Sequence, residues 1–477
     1  MLYINGEFRE AISKNTFDVI NPATGELVQK VAKGGAVDTE EAIKVANEAF
    51  KSWSVLTAKD RYGYLKKTAD ILRDRTDKIA EILTREMGKP KDEAVGEVSL
   101  GIDYLDWYAE EGKRIYGDTI PASEPNKRLL VLRQPVGVVG AITPWNFPFS
   151  MITRKLAPAL AAGCTIIVKA ASVTPLSALE VFKALHDAGV PAGVVNLVNG
   201  SASEIVGAMM DSHMVRKITF TGSTEVGKKL VSQSAKTMKK VSMELGGHAP
   251  FLVFEDADLE LAAEGVMASK FRNAGQTCVC VNRIYVQESV VEKFSSILAE
   301  KMKRLKIGNG LEDGVTIGPL INTEATEKAQ EHIDDAVEKG ATILCGGSRL
   351  TEGEYAKGSF FAPTVLLNAN HNMKIAYEET FGPVAPIFTF KTEEEAIKYA
   401  NDTIYGLASY IFTNDGSRMF RVPEKLEYGI VGINDPLPTV AQAPFGGVKE
   451  SGVGREGGKY GIDDYLDYKY LSFQLNF

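Results

Sequence analysis

Two side chains 34 positions apart can share one piece of chemistry. Cys278 lies in FRNAGQTCVC (271–280) and Glu244 in MELGG (243–247), both in glycine-bearing sequence that suits a tight site better than a packed core. A thiol attacks a carbonyl readily because some thiolate exists even at its ordinary pKa. A carboxylate nearby is a base for the water that later releases the acyl group. A lone cysteine is also a common small core residue, so the surroundings decide. ITPWNFP (142–148) sets Trp145 and Asn146 between two prolines, a stiff turn after an apolar strand. A rigid Asn amide can donate to a developing oxyanion, a contact worth roughly 3–4 kcal/mol in the transition state. The plainer use of such an Asn is an Asx-turn.

Those residues need elements to hold them. The Asn5-Gly6 pair between apolar neighbours is a hairpin cue. From about 38 to 115 the pattern is helical, and RLLVLRQP (128–135) reads as a strand. Short β-branched runs then alternate with helices: VGVVGAIT, TIIVKA, VVNLVNG, KITFTG and KKVSMEL. That alternation predicts βαβ units and a mostly parallel sheet buried on both faces. After MELGG a second series begins with PFLVFEDA, RIYVQE, ATILCGG and APIFTF. The domain boundary is therefore expected near 246. The tail LDYKYLSFQLNF alternates like an edge strand with nothing obvious in its own domain to pair with.

An α/β chain of this kind invites a search for GxGxxG after a strand, and none is present. IGNGLEDG (307–314) follows a helical stretch and reads as a surface turn. KITFTGSTEVGKKL does follow the strand pattern, with Gly222 and Gly227 bracketing Ser223. A strand, a glycine turn and a helix start offer free N–H groups to a phosphate; equally, Ser223 can be a simple N-cap. Lys169 ends TIIVK, and strand C-termini are where open α/β sheets bind ligands.

The 477 residues are too many for one core, so two or three domains are expected. With 54 basic and 62 acidic residues the net charge is −8, which argues against a nucleic-acid partner. Four cysteines cannot be a disulfide framework in so long a chain. MLYINGEFRE is too polar for a signal peptide, and LAPALAAGCTIIV, 13 residues with an internal Pro and Gly, is too short to span a bilayer. These features lead to the expectation of a soluble cytoplasmic protein. The five histidines show no ligand-like spacing, and no metal is expected.

Taken in order, PWNFP (144–148), the Lys169 region, FTGSTEVG (220–227), MELGG, GQTC (275–278), EETFGPV (378–384) and PFGGVKESGVGRE (444–456) resemble the aldehyde dehydrogenase superfamily nearly end to end. The resemblance implies an α/β fold in three parts: a variant Rossmann cofactor domain (1–116 and 136–246), an α/β catalytic domain (247–462) and a small β bridging arm for oligomerisation (117–135 and 463–477). It implies Cys278 as nucleophile, Glu244 as general base, and Asn146 with the Cys278 backbone N–H as oxyanion hole. It assigns Lys169 and Glu379 to the cofactor ribose hydroxyls, and Gly222 and Ser223 to the pyrophosphate. Thr143, Pro144, Trp145, Gly227, Leu245 and Phe381 complete the cofactor site. A homodimer or homotetramer is implied. The reaction implied is oxidation of an aldehyde to the acid through a thiohemiacetal and a thioester.

Within the superfamily, EEGKRIYGDTIP, MITRK, FRNAGQTCVCVNR, YGIVGIN and GREGGKYGIDDYL look like the succinate-semialdehyde dehydrogenase subgroup. That likeness implies a carboxylated aldehyde held by Arg154 and Arg272 converging on one tunnel, with Thr439 where the subgroup usually has Ser. An Arg fork binds a carboxylate bidentately. The altered loop PLPTVAQAPFGG leaves glycolaldehyde, lactaldehyde or an aromatic aldehyde as alternatives. A CoA-acylating member would lack the Glu of MELGG, and a non-catalytic member would lack the nucleophile or base. Ser172 stands where NAD-restricted relatives hold Glu, so NADP is favoured, with NAD also accepted. The likeness further suggests Cys280 as redox partner of Cys278. Cys164 and Cys345, in strand-like apolar runs, read as core.

Overall fold

The computed structural model describes residues 1–476. Two sheets carry the chain. The first runs, edge to edge, through Gly452–Val453, Lys240–Glu244, Val215–Thr221, Val138–Ile142, Thr165–Lys169, Val195–Leu197, Leu2–Ile4 and Glu7–Arg9. Its inner strands, from Lys240–Glu244 to Val195–Leu197, are parallel, and the outer pairings are antiparallel. The N-terminal hairpin turns on Asn5 and Gly6, both at positive φ, as a tight two-residue turn requires.

The buried runs explain the layering. Side chains alternate across a strand, and here both faces are covered. Val138, Ile142 and Ile167 pack in one cluster with the helices Ala36–Trp53 and Ala202–Asp211. Val139, Ala141, Ile166 and Val168 pack on the other side with the helices between 58 and 188. The second sheet runs Thr342–Cys345, Thr364–Leu367, Val384–Phe390, Val281–Gln287, Ala249–Val253, Ala408–Phe412 and Ile430–Ile433. Phe251, Ile284 and Phe412 face one cluster, and Leu252, Tyr285 and Ile411 the other. Cys164 is buried as expected, whereas Cys345 lies on an outer strand and is only half-buried.

The chain leaves the first sheet at Glu244 and enters the second at Ala249. MELGG is thus the seam. The tail Leu466–Gln474 finds its partner at Lys127–Pro135, which also pairs with Asp118–Ile120 in a separate three-stranded sheet. One expectation is corrected. Residues 452–453, placed with the second domain from sequence, form a strand antiparallel to Met243–Glu244 in the first sheet. The chain therefore crosses the seam twice. Two residues of edge strand carry too little periodic signal to be read from sequence.

Candidate active site

Three loops meet at the seam. The strand Val138–Ile142 runs into the turn 143–149 and then the helix Ser150–Ala162, so Asn146 sits at the strand's C-terminal end, 4 % exposed. Glu244 ends its own strand, 2 % exposed, and neither carboxylate oxygen has a hydrogen-bond partner. Cys278 follows a tight left-handed run in which Asn273, Ala274 and Gly275 all have positive φ (52°, 52° and 75°). Glycine is needed there, because a Cβ at 275 would lie 2.3 Å from the Gly382 carbonyl oxygen. Gly247 has a parallel reason: a Cβ would lie 2.3 Å from the Cys278 carbonyl oxygen. The two glycine-bearing motifs touch.

Cys278 stands between two cavities. One, of about 280 Å³, is lined by Pro144, Trp145, Asn146, Met151, Gly222, Ser223, Leu245, Cys278, Lys328, Glu379 and Phe381, among others. The other, of about 320 Å³, takes in Thr277 and Val279 on either side of the thiol, with Phe147, Arg272, Tyr410 and Thr439. Burial pushes the Cys278 thiol up to about 12, the Arg154 charge opposing and Glu379 and Glu244 adding. Burial, then the nearby Glu456, holds the Glu244 carboxyl well above the usual range. The Asn146 amide donates one N–H to the Gln276 carbonyl (3.0 Å) and has a second to spend.

The first cavity has room for part of a dinucleotide. Ser223 caps the helix Thr224–Ser234, accepting from the Val226 N–H, and also lines the cavity. The two readings of that serine are compatible. Glu379 accepts from the Gly247 N–H (3.1 Å), and burial lifts its carboxyl to about 7. Phe381, held at φ 54°, meets Trp145 edge-on at 5.6 Å. Thr143 donates its N–H to the Lys169 carbonyl, linking adjacent strand ends. Lys169 is buried and, among the described residues, has no carboxylate partner. Its Nζ reaches only the Ser172 hydroxyl (3.3 Å), which in turn donates to the Gly200 carbonyl (3.1 Å). Burial lowers this ammonium to about 8. A buried cation lacking an anion is a group prepared for a ligand. Gly227 has another use: buried within the helix, its missing Cβ makes room for Leu245, which would otherwise be 2.3 Å away. Thr221 and Lys328 line the cavity without having been singled out from sequence. Lys328 comes from a helix 50 residues after Cys278 with no motif around it.

The two arginines lie in different surroundings. Arg272 is in the second cavity with Thr439; its Nε is buried without a hydrogen-bond partner, and its guanidinium lies 5.4 Å from the Phe147 ring. Arg154 does not converge on it. Its Nε pairs with Glu456 at 2.5 Å, Lys155 pairs with the same carboxylate, and the guanidinium lies against the Phe445 ring at 4.2 Å. Burial lifts Glu456, but Lys155 and Arg154 outweigh it and hold the carboxyl below its usual range. Arg154 thus already has a counter-ion. Its remaining influence is its field, which lowers both Cys278 and Glu244. Cys280 is buried, its sulfur 3.4 Å from the Lys270 ammonium, and all four cysteines are free thiols. Among the described residues no His, Cys, Asp or Glu cluster could hold a metal, and no helix is long and apolar enough to cross a membrane.

The aldehyde dehydrogenase family model matches residues 8–471. The chain is 54% identical over 473 residues to a glutarate-semialdehyde dehydrogenase of Pseudomonas putida, covering 99% of this chain and 97% of that one. It is 54% identical over 472 residues to the NADP(+) succinate-semialdehyde dehydrogenase of Escherichia coli K12, again covering 99% and 97%. A crystal structure of an NADP-dependent E. coli enzyme superposes with a TM-score of 0.98 at 53% identity, over 100% of this chain and 98% of that one. With a half-buried thiol and an amide on the wall of one cavity, and a match of this length, the chain belongs to the aldehyde dehydrogenase family.

Proposed function

We propose that this enzyme oxidises a short semialdehyde ending in a carboxylate, succinate or glutarate semialdehyde, to the diacid. The observation that carries the reading is Arg272: a cation with no ion pair among the described residues, in a cavity that Thr277, Val279 and Thr439 also line. A carboxylate docked there sets the aldehyde carbon, a few bonds away, near the sulfur. The two relatives named act on four- and five-carbon semialdehydes, in keeping with a cavity of about 320 Å³.

In the proposed sequence Cys278 loses its proton and its sulfur bonds to the aldehyde carbon. The carbonyl oxygen becomes an oxyanion, which the free Asn146 N–H and the Cys278 backbone N–H receive. A nicotinamide cofactor bound in the first cavity would supply the hydride acceptor that lets the thiohemiacetal carbon become a thioester. Glu244, once ionised, takes a proton from water; the hydroxide attacks the thioester, the C–S bond breaks and the acid leaves. Lys169 and Glu379 would hold ribose hydroxyls, and Gly222 and Ser223 the phosphates. Ser172, small and neutral, adds no negative charge against a 2′-phosphate, so NADP is the favoured cofactor.

Arg272→Ala tests the reading against succinate semialdehyde, glutarate semialdehyde and uncharged butyraldehyde, each with NADP and NAD. A hydrogen bond to a charged group is worth ~1.5–3 kcal/mol, so kcat/KM for both semialdehydes should fall roughly 10- to 100-fold and that for butyraldehyde hardly at all. Equal losses would remove Arg272 from this role, and a wild-type NAD preference of about a hundredfold would remove the reading of Ser172.

The three-stranded sheet is proposed as the arm through which subunits associate. It leaves Tyr468, Tyr470, Phe473 and Leu132 exposed, more apolar surface than a small sheet ordinarily shows to water. Light scattering on the purified enzyme should give two or four chains per particle; a one-chain mass would end this proposal.

A further inference from the structure

One helix braces both halves of the site from below. Glu93 and Glu97, four residues apart on Lys91–Glu111, point the same way. Glu93 accepts the Asn273 N–H (2.8 Å) and so holds the loop that leads to Cys278. Glu97 caps the helix Ser150–Ala162, which has no side-chain cap of its own, by accepting from Phe149 (2.9 Å) and Ser150 (3.2 Å). Its other oxygen takes the Lys89 ammonium at 2.6 Å, a pair with no exposed side-chain surface. Such a pair yields little net stability for its desolvation cost. Where its spare hydrogens go is therefore informative.

They go to Asn146. Lys89 Nζ donates to the Asn146 backbone carbonyl at 2.8 Å, and Asn273 Nδ2 donates to the same oxygen at 3.1 Å. Asn273 Nδ2 also reaches the Gln276 carbonyl (3.2 Å), the acceptor of the Asn146 amide itself. Gln276 closes the ring by donating to the Asn273 carbonyl (3.0 Å). Asn273 can do this because it is left-handed, a conformation that Asn tolerates better than other residues with a Cβ.

We propose that Lys89 and Asn273 are positioning residues of the oxyanion hole: they clamp the one backbone carbonyl of Asn146 from two sides, and so aim its amide at the oxygen of the carbonyl that Cys278 attacks. Neither touches the reacting atoms. Their effect on rate passes wholly through Asn146, and the inference rests on the oxyanion role proposed for that residue. A misplacement of about 1 Å at such a donor costs on the order of 100-fold.

The test is a double-mutant cycle. Lys89→Met/Glu97→Gln removes the ammonium without orphaning a buried charge, and Asn273→Gly removes the side chain while tolerating positive φ. Each is made in the wild type and in Asn146→Ala, which keeps the clamped carbonyl but has no amide to aim. The expected result is a roughly 10- to 100-fold loss of kcat/KM in the wild-type background and less than about twofold in Asn146→Ala, with cofactor affinity and melting temperature near those of the parents. Equal losses in both backgrounds, or none in the wild type, overturn the clamp. Should the Lys89 variant fail to fold, Asn273→Gly carries the test alone. An Asn146→Ala enzyme as active as wild type would instead overturn the oxyanion role beneath it.

Discussion

Cys278→Ala ends NAD(P)H formation from every aldehyde while leaving the protein folded. The thiol is the one sulfur nucleophile on the wall of the first cavity among the described residues, and the hydroxyls and the amine beside it are weaker nucleophiles at neutral pH. Cys280 is two residues away, but it is buried and faces Lys270. Loss of a covalent nucleophile costs on the order of 10⁶ in rate, which places turnover below detection. A truncation this small at a half-buried position should change stability by about 1 kcal/mol or less, so melting and cofactor binding serve as controls. The charge state of the thiol gives a second check. Burial pushes it up to about 12 without cofactor, so at neutral pH the resting sulfur is protonated. The thiolate fraction then rises about tenfold per pH unit toward that value, and so should the rate of alkylation by iodoacetamide. Turnover that survives in a well-folded Cys278→Ala enzyme would discard covalent catalysis here.

How much of this was legible beforehand depends on the range of the interaction. Glu244, Asn146, Cys278 and Lys169 could be picked out because each sits in a local signal: a strand end, a proline-flanked turn or a glycine run; Glu379 came only with the family resemblance. The buried parallel strands were legible for the same reason, as short β-branched runs between helices. What could not be read is which charges meet. Arg154 and Arg272 look alike in sequence, yet one is neutralised by Glu456, 302 positions later, and the other is not. Nothing near Arg154 announces that partner, because it arrives with the segment that recrosses the seam as the strand Gly452–Val453. Gly227 misled in the opposite way. It fits a phosphate turn by spacing, but the space it leaves is filled by Leu245. Lys89, Glu93 and Glu97 were invisible as well, since a helix with charges four apart reads as an ordinary solvated face. Only the packing of that helix under both catalytic loops turns the face inward.

Glu244→Gln separates the two halves of the reaction. The substitution is nearly isosteric, and the wild-type carboxylate oxygens make no hydrogen bonds, so the amide leaves no broken network behind. Attack by Cys278 and oxidation to the thioester need no base at this position once the thiol has ionised. The variant should release one NAD(P)H per site in a burst and then stall as acyl-enzyme, its steady rate lowered about 10²- to 10⁴-fold, the range for loss of a general base. Adding hydroxylamine, which attacks thioesters without help, should restore turnover. The pH profile must change with it. Burial and then Glu456 hold the Glu244 carboxyl well above its usual range, so it stays protonated, and useless as a base, until the pH passes that raised value. Wild-type steady-state rate should therefore climb as the pH approaches that raised value, and it should fall about tenfold per unit on the acid side. Glu244→Gln should lack that limb while keeping the one that belongs to the thiol. A variant with no burst would place Glu244 before the thioester, and one with normal steady turnover would remove it from the mechanism.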